Sequence, residues 1–233
     1  MYTLFQAAST TGSTVMRALA WEFPNEPSLA SADRQFLLGP ALMVTPVLEQ
    51  GATNVSGVFP GTSNGTIWYD WYSQSAMSVS PGQNVTIPAE LGHIPLYVRG
   101  GFILPMQGPA LTTYEARQNP WALLVALDGN GTATGSLYVD DGESVVQNAT
   151  LDVTFSASSG GLSSSSSGTY EASQPLANVT ILGVNTAPQN FTLNGQSLQG
   201  WIYNETSKAV AITGLANNTS QGAWAQNWTL SWS

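Results

Sequence analysis

The densest acidic cluster in this 233-residue sequence is Asp140-Asp141-Gly142-Glu143. Two carboxylates flanking a bond can hydrolyse a glycoside, and a run of oxygen ligands can hold calcium. Neighbouring side chains on a strand point to opposite faces, so Asp140 and Asp141 do not easily flank one glycosidic bond. Calcium loops take about six oxygen ligands, and this stretch offers at most three carboxylates. The spacing favours a hairpin turn held by Asx hydrogen bonds, with a metal loop as the minority alternative.

His93 is the sole histidine. It has no cysteine or second histidine with which to bind zinc, and nothing nominates a nucleophile for it to activate. The bland reading is a structural ring at the start of the Ile94-Pro95 strand. Arg17 sits inside the apolar run Val15 to Trp21, where an unpaired charge costs several kcal/mol. It needs a carboxylate or several carbonyls, expected from a strand outside this chain. Arg99, before Gly100-Gly101, is expected to brace its surroundings through charge-assisted bonds to carbonyls or an acid. Trp68, Tyr69, Trp71 and Tyr72 could form a platform for sugar stacking, but aromatics on both faces of a strand favour core packing. Trp224, Trp228 and Trp232 share a face by their spacing and read as core.

Composition narrows the classes further. Only 8% of residues are charged, against a usual quarter, and the net charge is −9. The five cations are Arg17, Arg34, Arg99, Arg117 and Lys208, too few to neutralise a run of phosphates, so no nucleic-acid partner is expected. No stretch approaches the ~20 apolar residues of a membrane helix. With no cysteine, stability must come from core burial. The N-x-[ST] glycosylation acceptor recurs at Asn54, Asn64, Asn84, Asn148, Asn178, Asn190, Asn204, Asn217, Asn218 and Asn227. Chance placement of 15 Asn among residues that include 49 Ser or Thr gives about three. That excess points to a secreted glycoprotein. The N-terminus lacks the basic and apolar regions of a signal peptide, so Met1 is expected to be an internal methionine of a longer chain.

The elements that must position these residues follow from periodicity. Residues 2–8 read as the tail of a helix stopped at Thr10-Thr11-Gly12. Val15 to Trp21 reads as a strand covered on both faces, the kind found in parallel sheets. Ser31 to Gly39 reads as a short capped helix. From residue 41 the texture is β: strands at 41–45 and 47–48, at 58–60, 66–72, 84–87 and 93–103, then at 122–127 and 136–139. Gly160 to Gly168, with its five-serine run, reads as a mobile low-complexity loop. Strands resume at 178–183, 190–193, 201–203, 208–213 and 224–232. The fold class is therefore mainly β: two consecutive β-sandwich modules preceded by a leftover (β/α) barrel unit. The expected domains are 1–39 as the end of a barrel, 40–110 as a proximal sandwich and 111–233 as a distal one. On this reading the strand at 14–20 has no neighbours of its own within the chain.

Several stretches resemble glycoside hydrolase family 31, in particular its secreted fungal α-glucosidases. They are Tyr2-Thr3-Leu4-Phe5, Gly12 to Arg17, Trp21-Glu22-Phe23-Pro24, Phe36 to Leu48, Trp68 to Tyr72, His93 to Pro105 and Gly135 to Ser144. The match is specific across about residues 1–145 and looser beyond. It departs at Ala18, where the family usually has proline. The resemblance implies a catalytic barrel followed by two β-sandwiches, and retaining hydrolysis by two aspartates. None of the family's catalytic or sugar-gripping motifs has a counterpart here, so no catalytic residue is assigned. No cofactor or metal is expected. The expected partners are the missing N-terminal and barrel portion and, through it, an oligosaccharide. The alternative is a free-standing carbohydrate-binding or adhesion-type β-sandwich glycoprotein.

Overall fold

The computed structural model describes residues 1–158 and 160–233. They group into two compact units, one of Met1 with Thr3–Gly100 and one of Tyr2 with Gly101–Ser233. Helix α1 spans Tyr2–Thr11 and stops as expected: Gly12 takes a left-handed conformation, φ 74°, and its N–H bonds the Ala8 carbonyl at 2.9 Å.

The first unit contains β1 (Met16–Ala18), β2 (Phe36–Leu38), β3 (Leu42–Val44), β4 (Asn54–Gly57), β5 (Trp68–Asp70), β6 (Val85–Pro88) and β7 (Leu96–Arg99). Five of them join antiparallel in the order β1-β2-β3-β7-β5, while β4 and β6 pair as a separate ribbon. The apolar run at 15–21 is not a strand covered on both faces. Only three residues are extended, Met16 and Ala18 are exposed, and β1 pairs on one side with β2 before the chain coils into helix α2 (Leu19–Glu22). The strand thus has a partner within the chain and forms the sheet's edge.

The helix expected at 31–39 is also corrected. A 3-10 turn closes at Ser31 and the chain then extends into β2. Buried Gln35 fixes that extension: its Oε1 accepts from Val58 N at 2.7 Å and its Nε2 donates to Thr45 Oγ1 at 2.9 Å. Gly39, at φ 60°, closes a β-hairpin rather than a helix. Residues 47–48 and 58–60 carry no strand, and the ribbon forms at β4 instead. Leu19, Leu37, Met43, Trp68, Ile87 and Tyr97 meet in one apolar core.

The second unit contains β8 (Phe102–Gln107), the one-turn helix α3 (Thr113–Ala116), β9 (Trp121–Ala126), β10 (Ala133–Val139), β11 (Leu151–Ser158) and β12 (Gly161–Gly168). After these come β13 (Leu176–Leu182), β14 (Phe191–Leu193), β15 (Gln196–Leu198), β16 (Trp201–Asn204), β17 (Ala209–Ile212) and β18 (Trp228–Trp232). They form an eleven-stranded sheet in the order β15-β14-β18-β12-β11-β10-β8-β9-β13-β17-β16. The two end strands are consecutive in sequence, so the sheet bends round almost into a barrel. Pairing is antiparallel except between β8 and β10 and between β9 and β13. Its inward residues, among them Val125, Phe155, Leu162, Ile181, Phe191 and Leu230, fill a single core. The expectation of a mainly β molecule with sandwich-type packing holds.

The expected serine-rich loop is a correction. Gly161–Gly168 is a strand inside the sheet, paired along its length with β11 and over half of it with β18. Leu162 and Ser164 point into the core while Ser163, Ser165 and Ser167 are exposed. Two ready ladders satisfy its backbone, which composition alone does not reveal.

Candidate functional site

The densest buried charge in the first unit gathers on Glu22. Strand β1 presents Arg17, the single turn of α2 brings Glu22 back beside it, and the end of β7 presents Arg99. Arg17 Nη1 donates to Glu22 Oε1, and Arg17 Nε donates to the Thr14 carbonyl at 2.8 Å. Arg99 Nη1 lies 3.5 Å from Glu22 Oε2, and its guanidinium sits 4.5 Å above the Phe23 ring. All three charged side chains are mostly buried. Burial pulls the Arg99 pKa below its ordinary value, while the charge of Glu22 acts against that shift. The partner of Arg17, expected from outside the chain, is therefore Glu22. An acid also serves Arg99, as expected. Two guanidiniums around one carboxylate fix geometry; arginine does not exchange protons near neutral pH, so the cluster offers no acid–base chemistry.

In the second unit the acidic quartet splits. Asp140 is buried, and its Oδ1 accepts from Gly142 N at 2.8 Å and from the hydroxyl of Tyr2, which groups with this unit, at 2.7 Å. Arg117 Nη2 donates to the Asp140 carbonyl, and its guanidinium lies 5.8 Å from the Tyr2 ring centre. Asp141 is exposed, and its Oδ1 accepts from Glu143 N and Ser144 N, each at 2.9 Å. Its other oxygen accepts from Ser144 Oγ at 2.5 Å. The Ser144 hydroxyl and then the two amides hold Asp141 down to about 2. These are Asx turns, as the sequence favoured. One carboxylate turns in and the other out, so they do not face each other across a bond. Gly142 has φ 74°, a left-handed conformation that favours glycine, and a Cβ there would push the Arg117 guanidinium aside.

Asp128 plays a similar part in the turn between β9 and β10. Burial pushes its pKa up, but bonds from the Thr132 amide and hydroxyl and the Asn130 amide outweigh that and hold it below the usual value.

His93 packs at a tilt of 43° against Tyr72 with ring centres 4.4 Å apart, and the Tyr72 hydroxyl donates to the Ile94 carbonyl at 2.9 Å. The aromatic platform does not assemble: Trp68 and Tyr69 are buried, Trp71 is half-buried and Tyr72 is exposed. Trp224 and Trp228 are core residues and Trp232 packs at its margin, although Trp224 precedes β18 rather than lying on it. Two clefts lie beside the segment before β18, of about 270 and 630 Å³. The larger borders Tyr170, Gln221 and Trp224 and holds one carboxylate, Glu171, too few for two-acid hydrolysis. Among the described residues no group of three or more His, Asp or Glu is placed to hold a metal, and no helix is long and apolar enough to cross a membrane. All ten sequon asparagines are exposed.

Sequence reasoning missed Glu22. Its signal was the charge count: a cation in an apolar run needs an acid nearby, and Glu22 is the next acid along the chain.

Comparison with known proteins gives these features a setting. The family model for the glycosyl hydrolase family 31 C-terminal domain matches residues 12–104. An α-glucosidase of Aspergillus niger is 61% identical over 233 residues, an alignment covering 99% of this chain and 24% of that protein. The lysosomal α-glucosidase of Mus musculus is 41% identical over 237 residues, covering 91% of this chain and again 24% of the relative. Among solved structures, a glucosidase II α subunit matches with a TM-score of 0.81 at 22% identity, covering 100% of this chain and 27% of that one. That likeness speaks for the fold. The chain spans about a quarter of the length of the curated relatives it matches.

Proposed function

We propose, given that this chain belongs to glycosyl hydrolase family 31, that it serves as the structural C-terminal portion of an exo-acting retaining α-glucosidase. The parent enzyme removes terminal non-reducing α-linked glucose, and its two catalytic acids lie on polypeptide outside residues 1–233. Residues 1–39 finish the catalytic barrel; the expected boundary at 110 moves back to residue 100, because β8 pairs inside the second sheet, so 40–100 form the proximal sandwich and 101–233 the distal one. The observation that carries this reading is the alignment of nearly the whole chain, at 61% identity, with one quarter of an α-glucosidase. A free-standing carbohydrate-binding module is not favoured by that alignment. Phe5, Met16 and Trp21, all exposed on α1, β1 and α2, support further polypeptide packing on this end of the first unit. The sequons and the named fungal and lysosomal relatives support passage through the secretory pathway and secretion of the parent.

Assay of the pure chain with maltose and an aryl α-glucoside tests the reading. No glucose is expected from the chain alone. Co-expression with the remaining three quarters of the Aspergillus niger relative is expected to restore hydrolysis. Glucose release by the pure chain overturns the proposal.

A further inference from the structure

The larger cleft of the second unit, about 630 Å³, lies between two segments that backbone bonds hold in place. One is the turn after β12, where the Thr169 and Tyr170 amides donate to the Thr150 carbonyl at 2.9 and 3.1 Å. The other is the segment before β18, where the Ala223 amide donates to the Gln174 carbonyl at 2.9 Å. The apolar part of the lining, Leu151, Ala172 and Trp224, is buried, and the half-buried Tyr170 ring packs against the same core. Most of the rest is neutral and polar. Ser167, Thr169, Ser173 and Gln221 are exposed, and among the described residues none of their side chains spends a hydrogen bond on the protein. No cation among the described residues borders the cleft, and Glu171 is its one charged group.

Two further polar atoms of the lining are out of water and have no hydrogen-bond partner among the described residues: the Trp224 indole N–H and the Ser166 hydroxyl. Trp224 is 2% exposed. An orphaned donor is stabilised by any ligand oxygen that reaches it, because no existing bond has to break first. Solvent does not reach either atom as Ser166 and Tyr170 stand, so a ligand gains them when those side chains turn about their own bonds. The chemistry of the lining selects the ligand. An anion meets Glu171 and no counter-charge. A calcium ion finds a single carboxylate where it takes about six oxygen ligands. An apolar molecule strips water from the hydroxyls and replaces none of their bonds. A molecule with many neutral hydroxyls and flat faces of C–H groups satisfies the cleft. Its oxygens meet the Gln221 amide, the serine and threonine hydroxyls and the Glu171 carboxylate, and a C–H face meets the Tyr170 ring. From this lining we infer that the cleft between the turn after β12 and the segment before β18 is a binding site for an uncharged oligosaccharide.

Titration of the full chain with maltotetraose, cellotetraose and mannotetraose, read by calorimetry and by indole fluorescence, tests the site. Saturable binding of at least one of them, with a Kd of about 1 mM or tighter, is expected. Tetragalacturonate, equally long but anionic, is expected to bind several-fold more weakly because it meets Glu171. Saturation by none of the three neutral sugars, or a stronger grip on tetragalacturonate, overturns the assignment. Gln221→Ala removes an exposed amide from the cleft and is expected to weaken binding several-fold at unchanged Tm. Undiminished binding in that variant places the sugar elsewhere and overturns the site. Ser166→Ala deletes the orphaned hydroxyl, so Tm is expected to hold or rise while binding weakens, a split that a purely structural serine does not give. Binding unchanged in Ser166→Ala overturns the part given to that hydroxyl. Glucose release is a separate readout. A chain that binds these sugars and releases no glucose fits both this site and the parent enzyme proposed above, whereas one that neither binds nor releases loses only the site.

Discussion

At the scale of single residues, Glu22 shows how one carboxylate sets the conformation of a segment. It meets Arg17 through one oxygen and approaches Arg99 through the other, and all three side chains are mostly out of water. Removing the shared acid takes a counter-charge away from two guanidiniums that are mostly out of water. Glu22→Gln is therefore expected to lower stability by about 2–3 kcal/mol, read as a fall in the urea midpoint, while Glu49→Gln, at the exposed Arg34 pair, moves it little. Asp141 makes a local prediction in pH. Its carboxylate is held at about 2, below the ordinary 3.8, by the Ser144 hydroxyl and the amides of Glu143 and Ser144. An unfolded loop takes up a proton first, so the turn is fully ordered above about pH 4 and loses that order as the pH falls towards 2. Hydrogen-exchange protection of the Glu143 and Ser144 amides is expected to decline through that window. In Asp141→Asn it is expected to be lower at neutral pH and flat below.

At the scale of elements, the sequence showed most where a single periodicity acted alone. The stop of α1 at Gly12 and the strands at β9, β10, β13 and β14 were legible from apolar runs, alternation and turn residues. Leu151, Val153, Phe155 and Ala157 alternate perfectly with polar residues, and this was the signal that would have found β11. Two misreadings have physical causes. Ser31 and Gly39 look like caps, but Gln35 spends its amide on Val58 and Thr45, which a helix would prevent. In β12 serine occupies both faces, so no hydrophobic period marks the strand, and its ladders come from neighbours distant in sequence. The shared-acid cluster was half legible: the need of Arg17 for a partner was clear, but its source depended on α2 coiling back. One consequence of β12 can be measured. Ser164 is buried opposite Phe155 and Trp228, and among the described residues its hydroxyl has no hydrogen-bond partner. Deleting that hydroxyl removes an uncompensated desolvation, so Ser164→Ala is expected to gain about 1 kcal/mol and raise Tm. A loss of stability would mean that the side chain is satisfied in solution.

At the scale of the whole molecule, the two units differ in how complete each is by itself. In the second, β15 and β16 end the sheet yet are joined by only Gln199 and Gly200, so the two edges that most invite aggregation are drawn together. The Thr213 N–H bonds the Gly200 carbonyl at 2.7 Å, and a Cβ on Gly200 would meet the Thr213 carbonyl at the same distance, so the link requires glycine. One continuous core holds Trp121, Phe155, Trp224 and Trp228, with Trp224 5.8 Å from Trp121 and 5.2 Å from Phe155 between ring centres. In the first unit, β1 is an edge strand and α1 buries no residue. Met16 and Trp21 are 61% and 63% exposed there. Residues 101–233 expressed alone are therefore expected to unfold in one cooperative transition with a strong near-ultraviolet signal from the indole cluster. Residues 1–100 are expected to aggregate, or to bind a dye that reports exposed apolar surface. The decisive comparison is dye binding by the two pieces at equal concentration. Equal binding would mean that the edge at β1 is no more open than the drawn-together sheet, and the case for further polypeptide seated on the first unit would lose its structural support.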